Sequence, residues 1–215
     1  MHLSVRTAAA VAAPQVVEGA DEAALRAIGN DGAALAIWYR ACPAELAHWL
    51  DGLPDDRLPE GRFIGPVACV PARVSTLCDL VELPDGPERR GFVADIARLA
   101  RVFAAVAGSP DVDLRLEAVD HDSCWRFHRD HVGYRLNATY RGPGTQWLSP
   151  LAADRALRAQ RRYRGPLHEI PRFSAGLFKG VKLAGREAVV HRSPPVAGSG
   201  QTRLFLCLNE VDDDG

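Results

Sequence analysis

The hydrophobic pattern of the chain changes its period near residue 110, and this change limits the folds that the chain can adopt. From Pro87 to Gly108 apolar residues recur at helical spacing, which predicts one amphipathic helix. From Val112 to Val119 apolar and charged residues alternate, which predicts a half-exposed strand. Further strands are predicted over 135–140 and 202–208. Helices followed by strands are typical of an α+β fold in which helices support a β-barrel.

The first third of the chain carries weaker signals. Residues 33–39 predict a buried strand, although their alanines also allow a helix. Pro43 begins a predicted helix over 44–50, and residues 52–65, rich in Pro, Asp and Gly, predict a loop.

The length of 215 residues and the 47% hydrophobic content suit one domain with a sizeable core. We expect a flexible N-terminal segment over residues 1–20 and a single domain over 21–215. Within that domain, 21–110 is the predicted helical part and 111–210 the predicted strand-rich core.

The composition bears on partners and compartment. A net charge of −1 with 25% charged residues provides no general attraction to nucleic acid or membranes, so neither partner is expected. No stretch of eighteen apolar residues is present, so no membrane span is expected. The 5 cysteines are odd in number and form no CxxC motif, which favours a reducing, cytoplasmic compartment.

Two histidines and one aspartate form the main candidate site. In a strand, residues i and i+2 point to the same face, so His128 and Asp130 are expected to project together. His191 ends an apolar strand predicted over 187–191, which Pro194 interrupts. Two imidazoles and one carboxylate bind iron(II) on one face and leave the other open, so the set predicts a non-haem iron site. The alternative is a surface ion pair with structural histidines.

Arg203 is the candidate for binding an acidic co-substrate. It begins the strand predicted over 202–208 and shares a face with Phe205 and Cys207, which favours an inward direction. The planar guanidinium group can bind a carboxylate through two parallel hydrogen bonds. The alternative is an edge-strand arginine with a surface role.

Cys124 offers a different metal site. With His121 and His128 it would provide mixed sulfur and nitrogen ligands, which zinc accepts. In an extended segment, however, Cys124 and His128 lie about 13 Å apart at roughly 3.3 Å per residue. We therefore expect that Cys124 is not a ligand of the main site.

Residues 115–210, with the order His128, Asp130, His191 and Arg203, are similar to the iron(II)- and 2-oxoglutarate-dependent oxygenases. The resemblance implies a double-stranded β-helix, a jelly-roll or cupin-like barrel. It also implies iron(II) and 2-oxoglutarate as cofactors, the latter bound by Arg203. The expected activity is hydroxylation or demethylation of an unknown substrate.

The strings RLNATYRGPGTQWL and HRSPP more closely resemble a bacterial family, domain-of-unknown-function family 1826. Some of its members are expected near zinc-homeostasis genes. The resemblance thus leaves open a zinc-binding protein of the same fold without oxygenase activity. A hydrolase that uses a metal-bound water is a third alternative.

One position departs from the oxygenase pattern. Many oxygenases of this class have serine two residues after the arginine, where it binds the same carboxylate, and this chain has Phe205. We expect Tyr140, placed on the inner face of its strand, to donate that hydrogen bond instead. The alternative for Tyr140 is a place in the core.

Overall fold

The computed structural model describes residues 15–211 of the chain. Its helices are α1 (Ala23–Arg26), α2 (Ala44–Gly52), α3 (Val70–Leu80), α4 (Pro87–Ala107), α5 (Pro150–Ala159) and α6 (Val181–Ala184). Its strands are β1 (Gln15–Gly19), β2 (Ala33–Trp38), β3 (Gly61–Pro66), β4 (Asp111–Val119), β5 (Tyr134–Arg141), β6 (Gln146–Trp147), β7 (His168–Glu169), β8 (Ala175–Lys179), β9 (His191–Arg192) and β10 (Arg203–Asn209). Among residues 15–211, no helix combines the length and apolar composition that a membrane span requires.

Two sheets form the framework of this mixed α/β fold. The large sheet has seven strands in the order β1-β2-β8-β5-β10-β4-β3, and a small sheet has the order β7-β6-β9. Every neighbouring pair in the large sheet is antiparallel except β1 and β2. A large, mainly antiparallel sheet is therefore present, and three of its strands, β1, β2 and β3, come from before residue 111, where the predicted strand-rich part begins. Because β1 and β3 end the large sheet, residues 15–211 do not form a closed barrel.

The helix α4 covers one face of the large sheet. Pro87 stands at its start, where a missing N–H is harmless, and Gly108 ends it in the left-handed conformation with φ 69°. Its apolar stripe, which includes Phe92 and Phe103, is fully buried. This core also contains the side chains of β4, β5 and β10 that face α4: Leu114, Leu116, Leu136, Ala138, Tyr140, Leu204, Leu206 and Leu208.

The alternate residues of the same strands point to the other face of the sheet. Arg135 and Asn137 of β5 and Arg203, Phe205 and Cys207 of β10 line a cavity there. The strand β9 of the small sheet provides the opposite wall, because His191 lines the same cavity. The candidate site thus lies between the two sheets, away from α4.

Several segments of the sheets differ from the sequence predictions. The predicted loop over 52–65 contains the start of β3, which pairs along β4. The predicted strand over 187–191 is reduced to β9, His191–Arg192. The N-terminal segment predicted to be flexible contains β1, which pairs in parallel with β2, while residues 1–14 lie outside the described part of the chain.

The difference at β3 has a clear physical reason. Glycine and proline in β3 look like loop residues in the local sequence, but the hydrogen bonds of this edge strand come from β4, about fifty residues away along the chain. Pairing partners at such distances are not encoded in the local pattern.

Candidate metal centre

An irregular segment between β4 and β5 carries His128 and Asp130, not the strand that the sequence predicts. The backbone of His128 is instead fixed by two reciprocal hydrogen bonds with the backbone of His191, each with an N···O distance of 3.0 Å. This single bridge brings together two residues that are far apart in the sequence.

The side chains of His128, Asp130 and His191 converge. One ligand atom from each lies within 4.8 Å of the others. His128 Nε2 is 3.5 Å from Asp130 Oδ1, and His191 Nε2 is 3.1 Å from Asp130 Oδ2. Asp130 and His191 are buried, and His128 is partly exposed. The structure therefore brings together all three residues that the sequence predicts as metal ligands.

The hydrogen bonds of the two histidines leave both Nε2 atoms directed at the aspartate. His128 Nδ1 lies 2.7 Å from the carbonyl oxygen of Arg126, and His191 Nδ1 lies 3.1 Å from that of Val189. Only a protonated Nδ1 can bond to a carbonyl oxygen, so a neutral ring carries its lone pair on Nε2. Such contacts fix the orientation of metal-binding histidines.

A bound cation would remove the unfavourable contacts between the oxygens of Asp130 and the nitrogen lone pairs that face them. With neutral histidines, two nitrogen lone pairs face the oxygens of a buried carboxylate, and Asp130 Oδ2 accepts no hydrogen bond among residues 15–211. A divalent metal between these atoms would pair all three groups at once. The nitrogen and oxygen donor set suits iron(II), and it suits zinc as well.

Without a metal, protons and nearby cations stabilise the cluster. Burial by itself raises the pKa of Asp130, but the contacts with the two histidines, when these are protonated, and the charge of Arg135 outweigh burial and lower it. The hydrogen bond to Asp130 raises the pKa of His128, against the effect of burial.

Arg203 lines the same cavity as His128 and His191, as its predicted inward direction requires. It is 1% exposed. Its Nε donates to the carbonyl oxygen of Pro143 at 2.8 Å, and Nη2 donates to Thr139 Oγ1 at 3.3 Å. No carboxylate within residues 15–211 forms an ion pair with it, and burial lowers the pKa of the guanidinium group to about 10. A buried cation without a counter-ion favours the binding of an anion.

The cavity has a volume of about 60 Å³. It extends from His128 and His191 to Arg203, whose guanidinium group lies 5.0 Å from the centre of the Phe205 ring. Phe205, two residues after the arginine, therefore contacts it through its aromatic ring. Other lining residues include Glu117, Cys124, Arg135, Asn137, Thr145 and Cys207.

Tyr140 requires a correction, because the structure does not place it in the cavity. It lies on the face of β5 that packs on α4, and its hydroxyl donates to Asp95 Oδ2 at 2.7 Å. The rings of Phe92 and Phe173 pack against it edge-on. The expected hydrogen bond to a co-substrate is therefore not available, since the hydroxyl lies on the opposite side of the sheet.

Cys124 lies at the edge of the cavity and is exposed. Its positive φ of 52° shows that the segment before His128 is bent and not extended as assumed. Nevertheless, neither Cys124 nor His121 belongs to a group of metal-ligand atoms in the described part of the chain. The structure thus offers no support for the mixed zinc site.

Arg135 and Asn137 are cavity residues that the sequence reasoning missed. Arg135 Nη1 donates a short hydrogen bond to Asp130 Oδ1. Asn137 stands opposite Cys207 in the pairing of β5 with β10. The sequence predicts the alternation of β10 correctly. Combined with this register, that alternation places Asn137 in the cavity and Tyr140 on the opposite side of the sheet, which faces α4.

A family described as "Protein of unknown function (DUF1826)" matches residues 19–209. No curated protein matches the chain.

Solved structures similar to the chain include two enzymes. The dioxygenase for auxin oxidation 1 from Arabidopsis thaliana, in complex with 2-oxoglutarate, is 11% identical with a TM-score of 0.47, covering 93% of this chain and 94% of that one. A prolyl-4-hydroxylase from Pseudomonas putida is 13% identical with a TM-score of 0.41, covering 87% and 92%. Similarities this low do not transfer an activity, so the chemistry has to follow from the residues of the site.

Proposed function

The chain belongs to the DUF1826 family, whose function is unknown, and we propose that it is an iron(II)- and 2-oxoglutarate-dependent oxygenase that hydroxylates or demethylates its substrate. One observation carries the proposal. The side chains of His128, Asp130 and His191 converge, and the two histidines line one cavity together with Arg203, a buried arginine that has no ion-pair partner among residues 15–211. The cluster suits a divalent metal, and the arginine suits an acidic co-substrate.

In this proposal, His128 Nε2, His191 Nε2 and one oxygen of Asp130 hold the metal. Three protein ligands leave other coordination positions for a co-substrate and dioxygen. When bound, iron(II) together with 2-oxoglutarate and dioxygen supplies the oxidation of a C–H bond. The backbone bridge between His128 and His191 keeps the two imidazoles together before a metal arrives.

The role of Arg203 in this proposal is to bind the distal carboxylate of 2-oxoglutarate. Two of its nitrogens are occupied by Pro143 and Thr139, which hold the guanidinium plane in place. Its burial strengthens the attraction to an anion, because little water screens the charge. Asn137, 4% exposed with Oδ1 lacking a hydrogen-bond partner, supplies a further polar group in the cavity.

We extend the proposal to the fold. The large and small sheets correspond to the two sheets of a double-stranded β-helix, in which the site lies between the sheets. The position of the cavity supports this assignment, since β5 and β10 form one wall and β9 contributes to the other.

A zinc-binding protein without oxygenase activity is the second candidate. The small cavity favours it, because about 60 Å³ is room for only about four to six waters. 2-Oxoglutarate has ten non-hydrogen atoms, so it requires the cavity to open. Arg203 argues against this candidate, since a zinc site has no need for a buried, unpaired guanidinium group nearby.

The two candidates are separated by anaerobic reconstitution. The metal-free protein is titrated with Fe(II) or Zn(II), then with 2-oxoglutarate by calorimetry, and succinate is measured after oxygen is admitted. We expect 2-oxoglutarate to bind only with Fe(II) present and to be converted slowly to succinate even without substrate. An Asp130→Ala variant serves as the control that lacks the metal. Absence of 2-oxoglutarate binding to the iron-loaded parent would favour the zinc candidate.

A further inference from the structure

Arg135 connects the metal cluster to the central strand of the large sheet. Its Nη1 donates the short hydrogen bond to Asp130 Oδ1, and its Nε donates to Asn209 Oδ1 at 2.7 Å. Arg135 and Asn209 are direct partners in the pairing of β5 with β10. The carboxylate of Asp130, carried by an irregular segment, is thereby fixed to two regular strands.

The two oxygens of Asp130 have different surroundings. Oδ1 accepts the hydrogen bond from Arg135, whereas Oδ2 accepts none and lies 3.1 Å from His191 Nε2. The side chain of Asp130 is 3% exposed, so water does not compete strongly for either oxygen. Arg135 therefore selects Oδ2 as the oxygen that is free to bind a metal.

We propose that Arg135 is a positioning residue that, oriented by Asn209, holds Asp130 so that it binds the metal through Oδ2 alone. This inference rests on the proposed metal site. Binding through one oxygen leaves more of the metal open for other ligands than binding through both. The planar guanidinium group is suited to this task because it can bridge two acceptors in fixed directions.

The charge of Arg135 and its positioning of Asp130 affect metal affinity in opposite directions. A cation close to the site repels a divalent metal, so loss of the charge alone would tighten metal binding. Loss of a residue that orients a ligand typically weakens metal affinity by about 10- to 100-fold. The sign of the change therefore distinguishes a positioning role from a charge effect.

The test compares Arg135→Met and Arg135→Lys by calorimetric titration with Co(II) and Fe(II) under anaerobic conditions. We expect both variants to bind metal about 10- to 100-fold more weakly, since lysine keeps the charge but cannot bridge Asp130 and Asn209. The absorption bands of bound Co(II) should also change in both, because they report the coordination geometry. Tighter binding by Arg135→Met with unchanged binding by Arg135→Lys would overturn the proposal.

Two further variants complete the design. Arg62→Met removes an arginine–aspartate pair elsewhere in the large sheet, Arg62 of β3 with Asp113 of β4 at 2.8 Å, and should leave metal affinity unchanged. Asn209→Ala keeps the pair of Arg135 with Asp130 but removes the hydrogen bond that orients the arginine. It should therefore weaken metal binding, and it provides a test even if the Arg135 variants fail to fold.

If the parent binds no metal, the proposed function itself fails. Unchanged affinity in Arg135→Met and Asn209→Ala, with a parent that binds metal, overturns this inference alone.

Discussion

Arg203 is held by neutral oxygens only. The carbonyl oxygen of Pro143 and the hydroxyl of Thr139 accept its hydrogen bonds, so its positive charge is desolvated and has no direct ion-pair partner; Glu169 and Glu117 act on it only from a longer distance. Such an arrangement is unfavourable for the free protein, and the binding of an anion offsets it. The arginine thus favours the bound state partly by making the free state less stable.

Replacement of Arg203 by methionine tests this role. Arg203→Met should retain the metal and lose 2-oxoglutarate affinity by roughly 2–5 kcal/mol, because the carboxylate of the ligand is left unpaired. Calorimetry of the iron-loaded variant measures the loss. The stability of the fold should change little or increase, since a buried charge is replaced by an apolar chain of similar length. Undiminished 2-oxoglutarate affinity would remove Arg203 from the site.

Cys124 provides a second prediction for single residues. It lies at the edge of the cavity but outside the ligand cluster, so Cys124→Ser should keep full metal content. Metal analysis of the purified variant measures this, and circular dichroism checks the fold. Loss of metal from a folded variant would make Cys124 a ligand and promote the zinc candidate.

Among the elements, β5 shows how one strand serves two purposes. Its residues Arg135, Asn137 and Thr139 face the cavity side, while Leu136, Ala138 and Tyr140 pack in the core under α4. A strand with polar residues on both faces gives no clear sign of which face is inward. In the sequence alone, a core tyrosine that forms a buried hydrogen bond, as Tyr140 does with Asp95, cannot be distinguished from a tyrosine that contacts a ligand.

The variant Tyr140→Phe tests whether Tyr140 stabilises the core or contributes to the cavity. Removal of the hydroxyl leaves Asp95 with one hydrogen bond fewer, so we expect a loss of about 0.5–1.5 kcal/mol in the free energy of unfolding. Urea denaturation measures this change. 2-Oxoglutarate affinity should equal that of the parent, because the side chain lies behind the sheet. A marked loss of affinity with normal stability would restore Tyr140 to the site.

Elements with strong local signals could be predicted from the sequence, and elements that depend on distant partners could not. The helix α4 shows its spacing, its proline start and its glycine end, and β10 shows an apolar run. By contrast, β3 depends on pairing with β4, and the segment of His128 depends on a bridge to His191. Metal-ligand residue types remain recognisable in an irregular segment because the chemistry requires the side chains and not the strand.

For the whole molecule, the proposed ligand cluster would couple metal binding to stability. The three residues come from two segments that are about sixty residues apart in the sequence, so a bound metal restrains the folded chain and has no equal site in the unfolded one. Any ligand that binds only the native state raises its stability by mass action.

Thermal unfolding measures this coupling. At a free metal concentration of 100 times Kd, the stabilisation is about 2.7 kcal/mol. For a protein of this size we expect Tm to rise by roughly 5–10 °C, at about 2–4 °C per kcal/mol. Asp130→Asn should show no rise, because one of the three ligands is weakened and neutral. An equal rise in this variant would place the metal elsewhere in the protein.

The position of β10 in the large sheet has a consequence for the order in which the molecule is assembled. It is the last described strand in the chain, yet it lies between β4 and β5 and pairs with both along its length. During synthesis, β4 and β5 leave the ribosome well before the strand that joins them, and contacts over such distances form slowly. Until then both strands expose open edges, which can pair with other chains. The nascent protein is therefore most vulnerable to aggregation just before the residues that carry Arg203 emerge.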